Sequence, residues 1–163
     1  MGVTEVNVIN ELVYRNLSED AKRQICAWKY GGEYDLYNLP AYEEMQVRQI
    51  GFMNPQREKN YYGFWDESIL VGFVNILEEK EEIFIGIGVN PDLCNKHYGQ
   101  RMLLITYEIS KKLYPDKPLY LEVRTWNIRA VKCYQKAGFR IDGQAYELTT
   151  GIGTGTFYRM IRE

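Results

Sequence analysis

Histidine is almost missing from this sequence, with His97 the only one in 163 residues. Cysteine is scarce and odd in number. Cys26, Cys94 and Cys133 lie far apart, without the close pairing of a metal site. A structural zinc centre takes about four such ligands, so no metal is expected. The thiols read as reduced residues that pack or sit idle. An excess of one charge is lacking too: Lys and Arg total 20, Asp and Glu 22, for a net charge of -2. Nucleic-acid binding draws on a basic face, so no nucleic-acid partner is expected. No apolar run approaches the ~20 residues that cross a bilayer, and nothing resembles a signal peptide. The expectation is a cytoplasmic protein with no membrane partner. Repeats, low-complexity stretches and linkers are also wanting. One domain over 1–163 is expected, able to bury roughly 70% of its unfolded surface without crosslinks.

What is present is an alternation of strand and helix signals. A first strand is expected within Val6 to Arg15. Ser18 suits an N-cap, with Glu19 and Asp20 in a first turn, and a helix then runs toward Trp28 until Gly31 and Gly32 break it. A short helix after Pro40 carries Tyr42, Met45 and Val47. Tyr61 to Trp65 and Ile69 to Leu77 read as a hairpin around Asp66-Glu67-Ser68. In Ile83 to Val89 the isoleucines and valine share one face, while Phe84, Gly86 and Gly88 share the other. From about Gly99 to Tyr114, Met102, Ile105, Ile109 and Leu113 recur at helical spacing, and Pro115 ends the helix. Leu119 to Arg124 forms a further strand. Asn127 caps a helix to Ala137, with Gly138 as its C-terminal glycine. Phe139 to Leu148 and Phe157 to Ile161 close the chain as a hairpin, and Gly151, Gly153 and Gly155 read as its flexible turn. The order gives a mixed α/β sheet covered by helices.

Two segments carry chemistry. The first runs from Ile83 to Gly99 as strand, loop and helix start. A helix N-terminus offers unpaired N–H groups and the positive end of a dipole, which hold a phosphate without basic side chains. Gly86 and Gly88 strip one strand face of side chains, so backbone or an extended ligand can approach there. The glycines form neither a Rossmann fingerprint nor a P-loop. The second segment is Asn127-x-x-Ala130-x-x-x-Tyr134-x-x-x-Gly138-Phe139. By residue type alone, Ala130, Cys133, Tyr134 and Ala137 make an ordinary buried helix face. Glu122 reads either as an ion-pair partner of Arg124 or another basic residue, or as a general base.

Val89-Asn90-Pro91-Asp92 followed by Cys94-Asn95-Lys96-His97-Tyr98-Gly99 resembles the cofactor motif of the GNAT acetyltransferase superfamily, Val-x-Pro, a spacer and Arg/Gln-x-x-Gly-x-Gly/Ala. The Asn127 to Phe139 segment, preceded by Leu121-Glu122-Val123-Arg124, resembles that family's second motif. The likeness covers about Ile83 to Phe139. It implies a central, mostly antiparallel twisted sheet of about six or seven strands with one parallel pair, flanked by about four helices. It also implies acetyl-coenzyme A as acyl donor and no metal. Ile87, Gly88 and Val89 would pair with the pantetheine amides. Cys94, Asn95, Lys96, His97, Tyr98, Gly99 and Gln100 would hold the pyrophosphate, Asn127 would also bind the cofactor, and Tyr134 would lie near its sulfur. Cys94 stands where Arg or Gln is usual, and His97 where the first Gly is usual.

The resemblance makes Tyr134 the general acid for the departing thiolate. A phenol of pKa ~10 can donate that proton. Glu122 becomes the base that deprotonates an ammonium acceptor, as in the ribosomal-protein N-terminal acetyltransferases of the superfamily. A backbone N–H near Val89 would stabilise the thioester oxygen. The acceptor segment would be Trp28 to Tyr37, continuing to Tyr42-Glu43-Glu44, where Trp28, Glu33 and Tyr34 offer aromatic and acidic contacts to an amine. A small-molecule amine and a peptide N-terminus remain equally open. So do monomer and homodimer. The competing function is a non-catalytic acyl-coenzyme A-binding regulatory module, which the changes at Cys94 and His97 favour.

Overall fold

The computed structural model describes residues 11–163, and among these it has eight strands and four α-helices, with short 3-10 turns between them. The strands are β1 (Val13–Asn16), β2 (Tyr61–Asp66), β3 (Ile69–Glu78), β4 (Ile83–Val89), β5 (Leu119–Arg124), β6 (Arg140–Ile141), β7 (Tyr146–Thr150) and β8 (Gly153–Arg162). The helices are α1 (Glu19–Ala27), α2 (Tyr42–Arg48), α3 (Tyr98–Leu113) and α4 (Ile128–Lys136). The strand order is β1-β2-β3-β4-β5-β8-β6, with β7 also paired to β8. The sheet is mostly antiparallel. Its parallel pair is β4 with β5, in the register Ile83↔Leu119 and Phe84↔Tyr120. The part of the first expected strand before residue 11 lies outside the described residues.

Local sequence explains the helix ends. The Ser18 side chain accepts from the Ala21 N–H, and Glu19 and Asp20 occupy the first turn of α1. Asn127 does the same for α4 by accepting from the Ala130 N–H. Gly138 follows α4 at φ 97°, the left-handed geometry that ends helices. On α2, Tyr42 and Met45 carry the buried face and Val47 is exposed.

The six or seven expected strands become eight because the segment after Phe139 is split. β6 stops at Ile141, where the Asp142 N–H donates to the Arg159 carbonyl, and β7 begins only at Tyr146. The glycine-rich turn is also shorter than expected. Thr150 pairs with Gly153, so only Gly151 and Ile152 make the turn, and Gly153 and Gly155 belong to β8.

The chain falls into two compact units. The first comprises the described residues up to Val74 together with Ile87–Met102, and the second comprises Asn75–Gly86 with Leu103–Glu163. In the first, Leu17, Ala21, Ile25, Met45, Phe52 and Trp65 form a buried cluster against which Trp28 and Phe73 pack. Lys22 is 2% exposed within it, and its ammonium is bound by Glu19 and Glu58, so the buried charge is neutralised. In the second, Ile83, Leu119, Leu121, Val123, Phe139 and Met160 are buried.

One β3 glycine is fixed by backbone. A Cβ on Gly72 would lie 2.5 Å from Met102 Sδ and 2.6 Å from the Gly88 carbonyl oxygen. Gly72→Ala therefore has to displace β4 itself. The expected loss is about 1–3 kcal/mol, seen as a lower urea midpoint at unchanged slope. An unchanged midpoint contradicts this packing.

Candidate active site

The first unit holds the end of β4 and the loop after it. The β4–β5 ladder stops at Phe84 and Tyr120, so the β4 residues beyond Phe84 have no partner from that ladder. Such an edge offers N–H and C=O groups to an extended amide chain. The strand end is held firmly. The Asn90 N–H donates to the Val71 carbonyl at 2.8 Å. The Asn90 side chain donates to the Leu70 carbonyl at 3.1 Å and accepts from the Asp92 N–H at 3.0 Å. The Val89 carbonyl accepts from the Tyr30 phenol at 2.6 Å, and the Tyr30 backbone N–H in turn donates to Asn38 at 2.6 Å.

After the turn Pro91–Leu93, Asn95 and His97 both adopt φ 67°. This is the left-handed region, costly for most side chains and met most often by Asn, Asp and His among non-glycine residues. His97, at the motif's usual glycine, thus keeps a glycine-like backbone. The helix α3 starts at Tyr98 with no acidic residue in its first turn, and the Tyr98 phenol donates to Asp66 at 2.5 Å. A helix start without negative charge, preceded by the exposed Lys96 and His97, suits a pyrophosphate.

The two β4 glycines differ. A Cβ on Gly88 would meet Phe73 Cε1 at 2.4 Å. The Phe73 ring is in turn held by Trp28, Phe52 and Tyr61, with centroids 6.3, 6.1 and 6.4 Å away. The space freed at Gly88 is therefore filled by Phe73, and the expected open approach there is corrected. At Gly86 a Cβ would make only ordinary contacts, with Asn75 Cβ at 3.5 Å and Phe84 Cε2 at 3.6 Å.

The second unit holds the titratable groups. Glu122 is half-buried at mid-β5. It accepts a hydrogen bond from the Tyr146 phenol at 2.6 Å. Burial and this bond push the Tyr146 phenol far above its ordinary value, so it stays a donor. Burial and a bond to Glu79 do the same for Tyr120. The residue opposite Glu122 on β8 is Arg159. Its guanidinium is taken by Glu82, at 2.5 and 3.0 Å, and by Asp142 at 3.1 Å. Among the described residues neither Arg159 nor Arg124 forms an ion pair with Glu122. The pairing with Arg124 that residue type allowed is not present.

On α4, Val131 is buried, as is the C-cap residue Ala137, while Ala130, Cys133 and Tyr134 are half-buried. The expected face is thus only partly buried, and Tyr134 is not a fully buried core residue. Burial pushes the Cys133 thiol up, which keeps it from acting as a thiolate nucleophile.

The description "Acetyltransferase (GNAT) family" matches residues 16–139. The chain belongs to the GNAT acetyltransferase family. A curated relative, the probable spermine N(1)-acetyltransferase of Bacillus subtilis subsp. natto (strain BEST195), is 30% identical over 100 residues, covering 54% of this chain and 66% of the relative. The GNAT-family acetyltransferase of Bacillus anthracis shares the fold at TM-score 0.75 and 17% identity, over 92% of this chain and 93% of that one. AAC(6')-Ib, solved with ribostamycin and coenzyme A, does so at TM-score 0.70 and 16% identity, over 93% of each chain.

Within that family frame the sequence missed two hydrogen-bonding tyrosines, Tyr30 and Tyr146. They lie 59 and 24 residues from their partners Val89 and Glu122, and no local spacing flags either pair. The expected acceptor residues divide. Trp28 packs on the core of the first unit, whereas Glu33 is exposed and Tyr34 half-buried in a 3-10 helix over Gly32–Tyr37. Among the described residues no group of three or more His, Cys, Asp or Glu side chains is placed to hold a metal ion, and no helix is long and apolar enough to cross a membrane.

Proposed function

We propose that this GNAT acetyltransferase moves an acetyl group from acetyl-coenzyme A to a primary amine by direct attack, with Glu122 as general base and Tyr134 as general acid. The observation that carries the reading is Glu122 itself: a half-buried carboxylate at mid-β5, held by Tyr146 and without an ion pair among the described residues, with Tyr134 half-buried on the next helix.

Bound acetyl-coenzyme A supplies an activated acyl group on sulfur. The chain's residues do the rest. Ile87, Gly88 and Val89 offer backbone pairing to the pantetheine arm. The loop from Cys94 to Gln100 offers N–H groups to the pyrophosphate, with Lys96 adding charge. Asn127 caps α4 and so orients the helix that carries Tyr134. Glu122 takes a proton from the acceptor ammonium, directly or through a water, because only the free amine attacks. As the C–N bond forms, a backbone N–H near Val89 stabilises the acyl oxygen. As the C–S bond breaks, Tyr134 gives its proton to the sulfur.

The relative named for spermine and the structure solved with ribostamycin support an amine acceptor. Trp28, Glu33 and Tyr34 remain candidates on the acceptor side, and we place the protein in the cytoplasm as one domain over 1–163, a monomer or homodimer. Release of free thiol from acetyl-coenzyme A, measured over a panel of amines, tests the reading. Amine-dependent release is expected. Coenzyme A binding by calorimetry with no turnover on any amine would instead support a regulatory module that binds acyl-coenzyme A.

A further inference from the structure

β5 carries a second charged side chain on the face of Glu122, two residues along. Arg124 is 7% exposed. Its guanidinium carbon lies 4.8 Å from the centre of the Phe157 ring, across the β5–β8 ladder. It also lies against the backbone of Gly155, where a Cβ would fall 2.0 Å from Nη1. That glycine is what gives the guanidinium its place. Among the described residues, no carboxylate, carbonyl or hydroxyl hydrogen-bonds to Arg124. The contrast with Arg159 is sharp, since that arginine has two carboxylates.

A guanidinium carries five donors in a rigid fork. Leaving such a charge more than nine-tenths buried without an anion is costly. The fold nevertheless builds a seat for it from a ring and a missing side chain. The partner that matches the fork is a carboxylate, which takes two parallel hydrogen bonds.

Glu122 and Arg124 then stand as one pair of opposite charges. Alternate residues of a strand share a face and lie ~6.6 Å apart along it. We propose that Arg124 binds the carboxylate of the acceptor, and that the acceptor is a small amino acid whose amine meets Glu122. The inference rests on the amine-acetylation reading above and narrows it. A zwitterion matches the two charges in both signs. A polyamine carries only positive charge and meets repulsion at Arg124.

The test compares matched pairs, an amino acid and the amine left by its decarboxylation: lysine with cadaverine, phenylalanine with phenethylamine, glutamate with 4-aminobutyrate. For at least one pair the wild-type protein is expected to favour the α-carboxylate-bearing member by ~100-fold in kcat/KM, in line with the penalty for leaving a buried polar group unpaired. Arg124→Lys keeps charge but loses the fork, and Gly155→Ala keeps the arginine but displaces it. Each variant is expected to reduce that preference ~10-fold or more, chiefly through KM for the amino acid. Equal or better use of the decarboxylated amine in every pair would overturn the proposal. So would variants that remain folded by thermal unfolding and depress both members of a pair alike. If no amine is acetylated at all, the amine-acetylation reading is what fails. Calorimetry with amino acids in the presence of coenzyme A then decides this one: binding lost in Arg124→Lys supports it, and no binding to the wild type refutes it.

Discussion

Glu122→Gln is expected to lower kcat/KM for the amine by about 10²–10⁴-fold near neutral pH, the range that general base catalysis supplies. The substitution is nearly isosteric. The amide oxygen can still accept the 2.6 Å bond from Tyr146, so the fold should keep its unfolding temperature. Coenzyme A affinity should also stay the same, since the role assigned to Glu122 concerns the acceptor. The deficit has a pH signature. As pH rises toward the pKa of the acceptor amine, solvent supplies the free base and the need for a carboxylate falls. The variant should therefore recover part of its activity with rising pH, more than the wild type does. A loss of less than threefold, or a deficit independent of pH, would remove Glu122 from the role of base.

Tyr134→Phe is the second large effect. It removes one oxygen from a half-buried helix position and leaves the ring packing in place. The expected fall is about 10²-fold in kcat, with KM for acetyl-coenzyme A little changed, because the proton is needed only as the C–S bond breaks. Steady-state kinetics with acetyl-coenzyme A varied at saturating amine separates the outcomes. A raised KM with unchanged kcat would make Tyr134 a binding group and not the acid.

Much of this was readable in the sequence, for reasons that stay within a few residues. Ser18 and Asn127 are caps because their side chains reach an N–H three residues on. The α3 boundaries follow from a 3.6-residue rhythm that Pro115 interrupts. The site motifs are also local, and they placed Glu122 on a strand and Tyr134 on a helix. What escaped is long-range. Gly155 looked like part of a loose turn, yet it sits in β8 and is glycine because the Arg124 guanidinium lies over it. Gly88 looked like room for a ligand, yet Phe73 of the neighbouring strand fills that room. Tyr146 gave no signal at all, since its partner Glu122 lies on another strand. Residue type allowed Glu122 to pair with Arg124, yet Glu122 takes the Tyr146 phenol and the Arg124 guanidinium lies over the Phe157 ring. His97 is the opposite case. It broke the motif on paper, and its backbone at φ 67° takes the conformation that glycine adopts without strain.

The mechanism proposed here needs amine and thioester together, with no acetylated enzyme between them. The most direct test is the initial rate of thiol release with acetyl-coenzyme A and the amine both varied, and the product identified by its added acetyl group. Direct attack predicts no release without amine, double-reciprocal lines that intersect, and one acetylated amine per thiol. Parallel lines, or release without amine accompanied by an acetylated protein, would contradict it.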